Sequence, residues 1–370
     1  MEPEKRKIVI IGAGILGLTT AISIQDSIRA RAEAPYEVAI VAREWPEAVT
    51  GNHSSTSPDY ASMWAGAHVR PIPGSTPQLQ REAKWLKQTV AKLEQQASAE
   101  PWAGITPTKG RELFESPDEA YWHQTPSSFT EESGLRGYRQ LGDSELPKGV
   151  KMGIEYDTYC INSPLYCASL LRRFIFQGGT TLKRDLRSEY EAFELFKDVC
   201  LVVNASGMGF GDTKCFPTRG QIALTDLDGV VETVTRQNND GSWNFIIPRF
   251  YGGGTVIGGT KDVNDWDDAP RPATRDFLVH GVSKLGGDVG KSTGFNIIRD
   301  IVARRPTREG GVRLDLEHVA PNQHSSITGL RRLIHAYGAG GRGFELSWGI
   351  AADVAALSLE SLSTGAKARL

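Results

Sequence analysis

The chain is poor in cysteine. Its 370 residues hold only Cys160, Cys167, Cys200 and Cys215, with no Cys-x-x-Cys pair and no tight Cys/His spacing. That excludes a disulfide framework and gives no basis for a structural zinc site, so a reducing compartment is expected. An excess of one charge is missing too: 42 basic residues stand against 44 acidic ones, for a formal charge of −2. Whole-chain electrostatics therefore calls for neither nucleic acid nor an anionic membrane as a partner. No run of about 18 apolar residues occurs, so no membrane span is expected. The apolar stretch near the N-terminus, Ile8–Ile11, is too short for the core of a signal peptide. What remains is a globular composition, 39% hydrophobic and 23% charged, in a chain long enough for one large or two interlocked domains.

Glycine, by contrast, is abundant. The 40 glycines cluster at 12–17, 252–259, 286–290 and 338–349, where they mark turns and close backbone approaches. Residues 8–11 read as a buried strand, Gly12–Gly17 open a helix through Ile24, and Glu37–Val41 form a second strand ending at Arg43-Glu44. This is the opening βαβ of a dinucleotide fold. Residues 51–76, rich in Ser, Thr, Pro and Gly, read as loop. Thr76-Pro77 then caps a helix whose apolar residues Leu79, Ala83, Leu86, Val90, Leu93 and Ala97 recur at alternating spacings. Residues 98–155 show no clear period. A helix starts at Ser163-Pro164 and stops at Gly178-Gly179, and Val199–Val203 reads as a short buried strand. Residues 219–260 alternate strand and turn, the antiparallel signature of a second domain. Leu333–Ala336 as strand, Gly338–Gly343 as turn and Ser347–Leu362 as helix return to the first style.

In Gly12-x-Gly14-x-x-Gly17 the glycines permit a tight turn and let backbone N–H groups approach a pyrophosphate at the helix N-terminus. The nucleotide site is therefore expected at Gly12, Ala13, Gly14, Ile15, Leu16 and Gly17, with Arg43 and Glu44 near the ribose. Glu44 lies 27 residues past Gly17, the extra length falling in Arg29–Pro35. The pattern by itself leaves FAD and NAD both open.

Longer stretches narrow the choice. They are Lys7–Thr20 (KIVIIGAGILGLTT), Ser62–Ala67 (SMWAGA), Val203–Gly207 (VNASG), Arg219–Ile222 (RGQI) and Ile246–Arg249 (IIPR) with Gly258-Gly259-Thr260. Arg305-Pro306-x-Arg308-x-Gly310-Gly311-x-Arg313, His335–Gly338 and Ser347–Gly349 follow. In this order the chain resembles the FAD-dependent D-amino acid oxidases and D-aspartate oxidases, over about 340 residues. The resemblance implies an α/β fold: a Rossmann-like FAD-binding domain (1–60, 155–218 and 320–370) interleaved with an antiparallel-sheet substrate domain (61–154 and 219–319). It implies oxidative deamination of a D-amino acid to the 2-oxo acid, ammonia and hydrogen peroxide, by hydride transfer to flavin N5 with dioxygen as acceptor. Such a reaction needs an aligned C–H and a neutral amine rather than a side-chain base at the carbon.

The same resemblance distributes roles. Arg305 matches the arginine that forks onto the substrate α-carboxylate. Ala65, Gly66, Ser206, Gly207, Gly338, Gly340, Gly341, Gly343 and Phe344 are expected to line the flavin, the last group as a turn with four glycines in six residues. Phe245 departs from the pattern, standing where the family has a carboxylate-binding tyrosine, so Arg305 does more or Tyr337 or Trp243 compensates. Lys261 falls at, and Arg236 near, a position that is basic in D-aspartate oxidases, and together they favour an acidic substrate, D-aspartate, the alternative being a neutral D-amino acid. His53, His68 and Arg342 are further basic candidates. The expected partners are the D-amino acid, dioxygen and further copies of the chain. The C-terminal Ala368-Arg369-Leu370 resembles a peroxisomal signal, which adds that organelle's import receptor.

Overall fold

The computed structural model describes residues 5–31, 36–46, 57–291, 294–319 and 331–367, for the last four of which only the backbone is described. The chain divides into two compact units: residues 1–56, 167–216 and 306–370, and residues 57–166 and 217–305.

The first unit is built on a six-stranded sheet ordered Arg313–Val319, Arg331–Tyr337, Val199–Asn204, Arg6–Ile11, Tyr36–Ala42, Thr180–Lys183. All neighbouring pairs are parallel except the first. Ile8, Val9, Ile10, Leu201, Val202 and Val203 are fully buried, as central parallel strands covered on both faces require. The helix Ile15–Arg29 carries the crossover from the first strand to the second, and Gly343–Lys367 is the long C-terminal helix. That helix starts four residues before the expected Ser347, because Gly343 itself adopts helical angles.

The second unit is built on a ten-stranded sheet. Its central order is Cys215–Thr225, Thr255–Gly258, Trp243–Pro248, Glu232–Gln237, Ile105–Phe114, Met152–Ile161. Along this order the strands are antiparallel apart from one parallel pair, Glu232–Gln237 with Ile105–Phe114. One face buries Leu113, Ala223, Val234, Ile246 and Ile257 against Leu278, Val282 and Leu285. The helix Pro77–Ala99 forms where the cap chemistry places it, with the Thr76 hydroxyl accepting from the Leu79 N–H at 3.2 Å.

Two boundaries differ from the sequence expectation. Met152–Ile161 pairs along its length with Ile105–Phe114, so residues 155–166 join the second unit. Arg313–Val319 pairs with Arg331–Tyr337, so residues 306–319 belong to the first. The stretch expected as loop contains a helical turn, Ala61–Trp64, and a short strand, Ala67–His68. Among the described residues no helix is long and apolar enough to cross a membrane. His53 and Ala368-Arg369-Leu370 lie outside the described residues.

Candidate active site and cofactor cradle

In the first unit the strand Arg6–Ile11 runs into Gly12, whose φ of +102° few side chains tolerate. A Cβ on Gly12 would stand 2.5 Å from the Ala205 carbonyl oxygen, and one on Gly17 would stand 1.9 Å from the Gly12 carbonyl oxygen. Both glycines are thus required by close packing of the turn. The helix Ile15–Arg29 begins after Gly14 with no side-chain cap and no acidic residue in its first turn. Its own first turn therefore sets no carboxylate against its positive end, which suits the holding of a phosphate. Ser206 lies beside Gly12, and its buried hydroxyl has no hydrogen-bond partner among the described residues.

The start of the helix Gly343–Lys367 borders the same turn, a Cβ on Gly343 coming within 3.3 Å of Ile15 Cγ2. Its one first-turn acid, Glu345, accepts a hydrogen bond from Arg342, so Arg342 is engaged locally. Gly338 and Gly340 take positive φ, and Phe344 is buried. Arg43 and Glu44 pair at 3.3 Å just past the second strand. A glycine turn at two adjacent helix starts, with an orphaned buried hydroxyl, fits the diphosphate of a dinucleotide cofactor.

Tyr337 has a different place from the one expected. It is 1% exposed, and its hydroxyl donates to Asp212 at 3.0 Å while accepting from Arg313 at 3.1 Å. Burial and the bond to Asp212 push its pKa up to about 12. Burial alone would raise Asp212, but Arg308, the Lys214 N–H and the Tyr337 hydroxyl hold it down at about 2. The Tyr337 hydroxyl is consumed in this network and is no substitute for the hydroxyl that Phe245 lacks.

In the second unit the strand registers decide which side chains meet. Phe245 pairs with Thr235 and with Gly258, Gly258 with Ile222, and Thr235 with Glu112. These residues share the sheet face opposite the apolar core, as does Trp243 two positions before Phe245. On this face glycines make room for larger groups. A Cβ on Gly258 would stand 2.0 Å from the Phe245 ring, and one on Gly220 would stand 2.4 Å from the Arg305 guanidinium.

Arg305 is partly buried, donates to the Thr260 carbonyl at 3.0 Å, and has no carboxylate within 4 Å among the described residues. Burial lowers its pKa below the ordinary arginine value. Lys261 is exposed as a residue, with its ammonium 5.5 Å from the Trp243 ring centroid. Partial desolvation, then Arg70, then Arg305, lower its pKa below that of ordinary lysine. Arg70, which the sequence reading left in a loop, lies 4.6 Å from the same ring centroid. Arg70 and His68 flank the buried Glu112 at 3.9 and 3.7 Å. The Ala65 carbonyl accepts from Ser163 at 2.7 Å and from Arg249 at 3.1 Å, and Gly66 packs on Val256 and Ile247.

Arg236 does not join this group. It pairs in register with Asn244, one residue out of phase with Phe245, so it points to the core side of the sheet. There its guanidinium donates to Glu115 at 2.9 and 2.5 Å and to the carbonyls of Lys284 and Lys148 at 2.6 and 2.9 Å. All its hydrogen-bonding edges are spent on the fold. The resemblance to D-aspartate oxidases suggested a place for Arg236 beside Lys261, and the period of two along the strand overturns it.

The FAD dependent oxidoreductase family matches residues 7–357, and the chain belongs to that family. Its cofactor is FAD. The chain is 43% identical over 363 residues to a D-aspartate oxidase of Talaromyces thermophilus, covering 95% of each protein. It is 30% identical over 372 residues to a D-amino-acid oxidase of Schizosaccharomyces pombe, covering 98% of each. In fold it is similar to a glycine oxidase from Geobacillus kaustophilus, with a TM-score of 0.67, 18% identity, and coverage of 96% of this chain and 95% of that one.

Proposed function

We propose that the protein oxidises an acidic D-amino acid, D-aspartate first, to the 2-oxo acid, ammonia and hydrogen peroxide. The observation behind this reading is Arg305: a partly buried guanidinium, laid over Gly220, without a carboxylate partner within 4 Å among the described residues, bonded to the carbonyl of Thr260 next to Lys261 and close enough to Lys261 to disfavour its charged form. An unpaired cation in such a place is costly unless an anion arrives. Arg305 takes the α-carboxylate through its two outer nitrogens, which fix orientation as well as position. Lys261 takes the side-chain carboxylate. The Phe245 ring keeps the shape of the substrate wall without donating a hydrogen bond. FAD, when bound, would supply the two-electron acceptor for the α-hydrogen, with dioxygen as the final oxidant, and the imino acid released takes up water to give the 2-oxo acid and ammonia. Gly12, Gly14, Gly17 and Ser206 would hold its diphosphate and ribose end, and the turn from Gly338 to Gly343 its ring system.

Peroxide release over a panel of D-Asp, D-Glu, D-Asn, D-Ala and D-Met tests the reading. Preference for D-Asp supports it, and preference for D-Ala or D-Met makes the protein a neutral D-amino acid oxidase instead. We also propose peroxisomal delivery, on Ala368-Arg369-Leu370 and on the peroxide that the reaction would yield. Import of a fluorescent fusion that stops when Leu370 is deleted would support it, and import unaffected by the deletion would end it.

A further inference from the structure

On the site face of the second unit's sheet, Trp243 is shared by two cations. Arg70 stands 4.6 Å and Lys261 5.5 Å from its ring centroid. Arg305 donates to the carbonyl of Thr260, the residue before Lys261, and both Arg70 and Arg305 disfavour the charged form of Lys261, so the three cations converge on one region. Glu112 approaches Arg70 to 3.9 Å. That separation is an ion pair without a hydrogen bond. Glu112 also accepts from Tyr156 and from the Gln237 amide, each at 3.4 Å, and faces His68 at 3.7 Å. Its charge is spread over four neighbours. The side chains of Arg70 and Glu112 are 12% and 2% exposed, so the pair is largely withdrawn from water, whereas Lys261 is exposed. A desolvated guanidinium discriminates between charged and neutral ligands more sharply than an exposed ammonium does, because less solvent screens it.

We propose that Arg70 is a specificity-determining residue, which receives the side-chain carboxylate of the substrate jointly with Lys261 while stacked on Trp243, and that Glu112 is the positioning residue that holds it there. The proposal rests on the acidic-substrate reading above. Arg305 then serves the α-carboxylate, and Arg70 and Lys261 serve the distal one, so a dicarboxylate meets a cation at each end.

The test uses the FAD-loaded full-length enzyme. Peroxide formation gives kcat/KM for D-Asp and D-Asn in wild type, R70M, R70Q and R70K. Calorimetry gives the affinity for succinate against succinamate, which needs no turnover. In R70M the D-Asp to D-Asn ratio should fall about ten- to hundredfold, chiefly through KM, with a matching loss for succinate only. R70Q keeps the stem over Trp243 and a donor for Glu112, and decides the question should R70M fail to fold. R70K should recover part of the ratio, and in E112Q the ratio should drop without loss of FAD. The ratio in the R70M/K261M double variant should fall by less than the product of the single effects, since both cations touch one carboxylate. A wild type that prefers D-Asp with a ratio unmoved in R70M and R70Q refutes the role of Arg70 alone. A wild type that prefers neutral D-amino acids refutes the underlying reading instead. Equal losses for D-Asp and D-Asn would reduce Arg70 to a structural support for Trp243.

Discussion

Replacing Lys261 by methionine separates binding from stability, because the two should move in opposite directions. The ammonium has no carboxylate within 4 Å among the described residues, and desolvation with the nearby Arg70 and Arg305 disfavours its charged form. Removing it relieves repulsion in the free enzyme, so the melting temperature should hold or rise slightly. Substrate carrying a distal carboxylate then loses one of its cations. A charged group left without its partner costs about 1–3 kcal/mol, and exposure of Lys261 to solvent puts the estimate at the lower end, about 1–2 kcal/mol. That corresponds to a five- to thirtyfold fall, roughly, in kcat/KM for D-Asp relative to D-Asn. The assay is the ratio of the two kcat/KM values by peroxide release, beside a thermal melt followed at constant FAD. The pH profile adds a sign. A lysine whose pKa is lowered loses its charge earlier as pH rises, so wild-type kcat/KM for D-Asp should decline on the alkaline side below the usual lysine range. The K261M profile should lack that limb, as should D-Asn with wild type. A ratio unchanged in K261M, or a melting temperature lowered by several degrees, would show that Lys261 serves the fold and not the substrate.

Four other outcomes follow from the same geometry. Arg305→Ala should cost roughly 2–5 kcal/mol of substrate binding, measured by KM and by carboxylate inhibition, with FAD retained, and Arg305→Lys should restore only part. Arg236→Met should leave the D-Asp to D-Asn ratio unchanged but destabilise by about 1–3 kcal/mol in denaturant titration, because it leaves two carbonyls without their donor and Glu115 with the Asn239 N–H but not its cation. Gly17→Val should give protein without flavin absorbance, since its Cβ would collide with the Gly12 carbonyl oxygen. Asp212 has its pKa depressed to about 2, so its share of stability is full above the unfolded value and is lost as pH falls toward about 2; Asp212→Asn should remove that part of the acid dependence in pH-resolved melts.

The nucleotide half was legible along the chain because its requirements are local. A buried parallel strand, a turn that needs φ above zero and a helix without a first-turn acid each follow from residues within about one turn of one another. The Thr76 cap and the helix after it were legible for the same reason. Residues 105–114 were not, since a strand bearing Thr, Lys, Gly, Arg and Glu declares itself only when Met152–Ile161 pairs along it. The substrate half depended on parity across strands. Arg236 and Phe245 both sit near the Ile-Ile-Pro-Arg stretch, yet register sends them to opposite faces, where Arg236 meets Glu115. Arg70 gave no sign of itself in the sequence, because Pro71, Pro73 and Gly74 around it read as loop. The amino-acid order alone therefore determined the family, the cofactor turn and the candidate carboxylate fork at Arg305. Which cations gather beside Trp243 was decided only by tertiary pairing, because a strand exposes alternate residues to different surroundings and only its neighbours reveal which surroundings those are.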